Sequence, residues 1–117
     1  MDEINNIFLL GNLTRDPEMG QTEQGSPYAD ISLAVNKYFK SREGEDIQCV
    51  DYIKLTCFNT LARNCASSLS KGSRVLVAGH VRFKSQIGEE KTNTRMFLVA
   101  GVVAASLEFC EVAIAGS

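Results

Sequence analysis

Two stretches of strict alternation limit what this chain can fold into. In residues 28–36, Ala29, Ile31, Leu33 and Val35 fall on one side of an extended backbone, and Tyr28, Asp30, Ser32, Ala34 and Asn36 fall on the other. In residues 50–58, Ile53, Leu55 and Cys57 share one side, and Tyr52, Lys54, Thr56 and Phe58 share the opposite one. Successive side chains of a strand point to opposite faces, so this period marks strands with one face on a core. Other segments carry weaker strand signals. Residues 7–13 are a nearly continuous apolar run broken by Gly11, which fits a buried strand with a bend. In residues 75–84, Val75, Val77, Gly79, Val81 and Phe83 share one parity. The reading assigns Phe83 to the core with them, while the other side turns from Leu76 and Ala78 to His80, Arg82 and Lys84. Residues 94–109 are apolar and β-branched and form the expected return strand, with Gly101 at a bulge or bend.

Only one segment has helical spacing. Leu61, Cys65 and Leu69 recur every four residues with Ala62 and Ala66 beside them, which predicts a helix over 61–70. Asn59 or Thr60 is its expected cap, Lys71 suits its C-terminal dipole, and Gly72 closes it. The connections are Asp16-Pro17-Glu18, a turn over 21–27, an exposed loop over 37–48 and a polar hairpin tip over 85–93. With 117 residues, 44% apolar and 22% charged, the chain is one domain's worth. Four or five strands with a helix between the third and fourth predict an all-β architecture. The expected fold is a five-stranded Greek-key barrel of the OB type with one short helix between strands 3 and 4, spanning residues 1–110, followed by a short extension over 111–117. An open α+β sheet with one covering helix is the competing architecture.

Enzyme chemistry finds little support. The single histidine, His80, sits in an alternating strand and reads as structural or solvated. No nucleophile elbow or phosphate loop occurs. Cys49, Cys57, Cys65 and Cys110 form no C-x-x-C pair, so neither a metal nor another cofactor is expected. Cys57, Cys65 and Cys110 lie among apolar neighbours and read as reduced, partly buried thiols. No run of eighteen apolar residues predicts a membrane helix, and the acidic start Met1-Asp2-Glu3 does not open a signal peptide. The expected compartment is the cytoplasm.

The charge distribution says more than the net charge of −2. Residues 52–88 hold six of the twelve basic residues (Lys54, Arg63, Lys71, Arg74, Arg82 and Lys84) and none of the fourteen acidic ones. Tyr52, Lys54, Thr56 and Phe58 then alternate aromatic, cation, hydroxyl, aromatic on the side away from the core. Tyr38, Phe39 and Lys40 cluster at the end of the preceding strand. A flexible nucleic-acid strand offers phosphate charge and base faces, so interleaved cations and aromatic rings on an exposed sheet suit it, whatever its sequence.

Several blocks, in order, resemble bacterial single-stranded DNA-binding proteins. They are Leu9-Leu10-Gly11-Asn12-Leu13-Thr14-Arg15-Asp16-Pro17-Glu18, then Asp30-Ile31-Ser32-Leu33-Ala34-Val35-Asn36 with Phe39 shortly after, then residues 58–72, then Val75-Leu76-Val77-Ala78-Gly79-His80-Val81-Arg82. The resemblance covers roughly residues 4–109. It implies a protomer of a homotetramer, with a dimer as the other possibility, that wraps single-stranded DNA in replication, recombination and repair, at the nucleoid. It also implies that Phe39, Tyr52 and Phe58 stack bases and that Lys54, Lys71, Arg82 and Lys84 contact phosphates, with Arg15 and Arg95 at further basic positions. Three features depart from the family pattern. There is no tryptophan, Gln86 stands where another aromatic is usual, and residues 111–117 do not read as the Gly/Pro/Gln-rich linker and acidic tip that recruit repair proteins. Recruitment through such a tail is therefore not expected of this chain. The alternative reading is an OB protein working mainly through protein contacts, resembling the dimeric primosomal protein of replication restart.

Overall fold

The computed structural model describes residues 3–87 and 92–114, with the side chains of 85–87 and 92–94 left aside. The order of elements is β1 (Ile7–Leu13), β2 (Glu18–Gln21), β3 (Pro27–Lys40), β4 (Asp46–Phe58), α1 (Asn59–Ser68), β5 (Arg74–Ile87) and β6 (Thr92–Ala105). Sheet order runs β1-β5-β6-β4-β3, and β1 pairs again with β3 through Asn12–Ala34 and Leu13–Leu33. Five strands therefore close a barrel. The short β2 hangs outside it, paired only with β3, and raises the strand count to six. The helix lies between the third and fourth barrel strands, as the OB topology requires.

The alternating residues fill the barrel as expected. Ile31, Leu33, Leu55, Cys57, Val75 and Val77 are buried, and α1 contributes Ala62 and Cys65 to the same core. The Cys65 thiol beside it, together with burial, pushes the Cys57 thiol well above the usual thiol range, so it is a packing group and not a reactive thiolate. Cys110, expected to be partly buried, is exposed.

The strands run longer than their alternation. The expected loop over 37–48 shrinks to residues 41–45, because β3 and β4 continue as a two-stranded arm to Lys40–Asp46. Its tip and the 22–26 turn share one construction. The Gly44 amide donates to the Ser41 carbonyl, the Gly25 amide donates to the Thr22 carbonyl, and each glycine takes positive φ. A second arm is formed by β5 and β6, which pair out to Ile87–Thr92. The expected tip residues 88–91 lie outside the described residues. The arms account for a radius of gyration of 17.0 Å, against about 13 Å for a compact domain of this length.

Two glycines shape the sheet. Ala78 pairs with Val102 but Gly79 pairs with Ala100, leaving Gly101 as the extra residue of a bulge. The bulge resets the parity of β6, so Phe97 and Val99 before it, and Val102 and Ala104 after it, all face outward. Gly79 sits where a Cβ would run into the Val99 carbonyl oxygen. Gly79→Ala should therefore destabilise the fold by about 1–3 kcal/mol, read as a lower midpoint in thermal or urea unfolding.

The helix begins two residues earlier than its spacing predicts, and no side chain caps it. Phe58 remains extended, and Asn59 turns the chain with φ 60°, a left-handed conformation that asparagine tolerates. Gly72 takes positive φ beyond the helix end, in the turn where the Ser73 amide donates to the Ser70 carbonyl.

Candidate nucleic-acid interface

Strand register assembles the outward face row by row. Tyr28 lies opposite Phe58, Asp30 opposite Thr56, Ser32 opposite Lys54 and Ala34 opposite Tyr52. β4 continues into β6 through Thr56–Val99, and β6 into β5 through Val99–His80. One row therefore reads Asp30, Thr56, Val99, His80. Two residues along each strand, Phe97 faces Arg82 on the same side as Lys54, and beyond them Arg95 faces Lys84. Tyr52, Lys54, Phe58, Arg82, Lys84 and Arg95 thus share one outward face across the three strands β4, β6 and β5, though they span 44 positions of sequence. Tyr52 is 77% exposed and Phe58 is half-buried.

The loop after β1 brings Arg15 to the edge of this face. Thr14 donates its amide to the Ser32 carbonyl at 2.9 Å, and Arg15, Ser32, Tyr52 and Lys54 border one shallow depression. Asp16 accepts the Lys71 amide at 2.8 Å, tying the turn that carries Lys71 to the same loop. Arg15 also pairs with Glu18 at 3.2 Å, both exposed.

Phe39 stands apart. It pairs with Ile47 on the β3–β4 arm and has the parity of Leu33 and Val35, so it lies on the side of the hairpin opposite Tyr52. Tyr38 occupies the Tyr52 side. The two arms and the barrel wall therefore present aromatics on more than one surface. The side chain of Gln86, the altered position, is outside the described residues.

Sequence order hid three residues of this face. Asp30 sits beside Lys54, with 3.6 Å between carboxylate and ammonium, and its other oxygen accepts the Thr56 hydroxyl at 2.9 Å. The acid-free stretch thus acquires an anion from a neighbouring strand. Phe97 adds a half-buried ring between the cations; its place within an apolar run on both parities masked it. Tyr28 lays its ring over Gly20, where a Cβ would come within 2.5 Å of it. Only cross-strand register could have found these.

Phe83 is a correction. Expected in the core, it is 65% exposed, because the barrel ends before it. The run over 7–13, expected to be a buried strand, instead contributes Phe8 and Leu10 to a second outward surface. Phe8, Ala78 and Val102 form one row across β1, β5 and β6, and Leu10, Leu76 and Ala104 the next. Phe8 is 72% exposed, and Leu10, Leu76 and Val102 are exposed with it.

Among the described residues no helix is long and apolar enough to cross a membrane. The pattern of the Single-strand binding protein family matches residues 4–109. The chain is 36% identical over 107 residues to Single-stranded DNA-binding protein B of Bacillus subtilis, covering 92% of this chain and 90% of that protein. It is 38% identical over 108 residues to Single-stranded DNA-binding protein 1 of Staphylococcus aureus, covering 92% of this chain and spanning 66% of that relative. The fold superimposes on a deletion variant of the single-stranded DNA binding protein from Thermus aquaticus with a TM-score of 0.79 at 22% identity, over 91% of this chain and 52% of that one.

Proposed function

This chain belongs to the single-strand binding protein family, and on that premise we propose that it binds single-stranded DNA without reading its sequence and does no chemistry on it. The observation that carries this reading is the outward face on which Tyr52, Phe58 and Phe97 alternate with Lys54, Arg82, Lys84 and Arg95 across three strands. Rings accept any base because every base has a π-face, and cations follow the phosphates. Arg15 and Lys71 extend the cationic track at the barrel end, and Phe39 meets the strand on the β3–β4 arm. The cellular role is protection of exposed strands in replication, recombination and repair, in the cytoplasm at the nucleoid.

We place the assembly, a homotetramer, on the apolar rows Phe8–Ala78–Val102 and Leu10–Leu76–Ala104. A monomer rarely leaves such a patch in water. The same patch favours the second reading, a dimeric primosomal-type protein acting mainly through protein contacts.

Titration of a labelled oligothymidine at two salt concentrations, with a solution mass, tests both. Tight, salt-sensitive binding by a tetramer is the expected result; weak binding by a dimer would favour the second reading. Log affinity should fall with log salt at about −0.7 per phosphate neutralised. Lys54→Ala should flatten that slope by about one such share. Asp30→Asn, which retains an acceptor for Thr56 and releases Lys54, should tighten binding.

A further inference from the structure

The β5–β6 arm carries an exposed apolar pair that the interface above does not use. β1 reaches only to Gly79 on β5, and the β4–β6 pairing only to Leu98. The Asn5 amide side chain bonds the Val81 backbone at 2.7 and 2.9 Å and marks the barrel rim. One step past it, Phe83 faces Met96 across the ribbon. They continue the inner row of Val81 and Leu98, but no core remains for them to meet. Phe83 is 65% and Met96 64% exposed.

We propose that Phe83, backed by Met96, is a second stacking platform for bases of the bound strand, on the side of the arm opposite Arg82, Lys84 and Arg95. This rests on the single-strand binding reading. Charge selects the occupant. The ribbon is one residue thick, and its outer side presents three cations within two rows, Arg82 opposite Phe97 and Lys84 opposite Arg95. Phosphates neutralise a cluster of cations such as this one. A polyanion with flat apolar rings satisfies both sides of the ribbon at once. An exposed phenylalanine ring offers a face on which any base can stack. The other arm also carries a ring on its inner side, Phe39 opposite Ile47, with Lys37 on that same side and Lys40 on the opposite one. The fold therefore extends two ribbons past the barrel, each with an aromatic–aliphatic pair on its inner side.

Phe83→Ala, Phe83→Leu and Phe83→Tyr in the full chain test the inference by oligothymidine titration, with circular dichroism and solution mass alongside. Both Ala and Leu should weaken binding by about 5- to 150-fold, the range of one lost stacking contact, while Tyr retains it. The salt slope and the mass should stay as in the unaltered protein. Full affinity in Phe83→Ala overturns the proposal. So does full affinity in Phe83→Leu, since leucine packs but does not stack, and so does a fall in mass, which would give this face to a second copy. The two levels separate cleanly. If the unaltered protein does not bind, the single-strand reading itself falls. If it binds and Tyr52→Ala weakens it while Phe83→Ala does not, only the second platform falls.

Discussion

Alanine at both Tyr52 and Phe58 should lower affinity for oligothymidine by about 2–6 kcal/mol, roughly 30-fold to 10⁴-fold, while leaving the salt slope where it was. Each stacked base is worth about 1–3 kcal/mol. The two rings lie six residues apart on β4, about 20 Å at the rise of a strand, beyond the range over which substitutions couple. Their losses should therefore add. No charge is removed, so counterion release is unaffected. Tyr52 is largely exposed and its replacement should barely move stability. Phe58 is half-buried at the mouth of the helix, so its variant is read beside a thermal melt. A folded double variant that binds like the unaltered chain would remove stacking from the account, and a reduced slope would show that the rings act by placing the cations.

What the sequence made legible was parity; what it concealed was extent. Alternation in residues 28–36 and 50–58 assigned Ile31, Leu33, Leu55 and Cys57 to the core, where they lie. The same logic assigned Phe83 to the core and failed. Parity says which side a residue faces, but not where the neighbouring strand stops. The limit on β5 is set by Ile7 of β1 and Leu98 of β6, neither of which leaves a mark near Phe83. The loop expected over 37–48 failed for a related reason. A two-stranded arm is wet on both sides, so its residues lose the alternation that identifies a strand. Charge was misjudged in the same way, since counting along the chain could not see Asp30 arrive beside Lys54 from β3. Gly101 was the favourable case. A glycine within a β-branched run suggested a bulge, and the bulge is what keeps Phe97 and Val102 on one outward surface.

That surface changes character along a single strand, and this underlies the second large effect. On β5 the outward residues run Leu76, Ala78, His80, Arg82, Lys84. The apolar half joins Phe8 and Leu10 of β1, and the cationic half joins Lys54 and Phe97. If the first half joins copies and the second holds DNA, charges placed on the first should separate copies without touching the second. Phe8→Asp combined with Leu76→Asp should therefore convert the assembly to monomers, read directly as mass. Both positions are exposed in the protomer, so the barrel itself should persist. An oligothymidine short enough for one barrel, about 4–16 nucleotides, should bind as before. A long one, held by several protomers in the assembly, should lose about 10²- to 10⁴-fold through lost avidity. An unchanged mass would move the interface elsewhere. An equal loss on short and long DNA would mean that the apolar half touches the strand itself, and the division of β5 into two functions would fail.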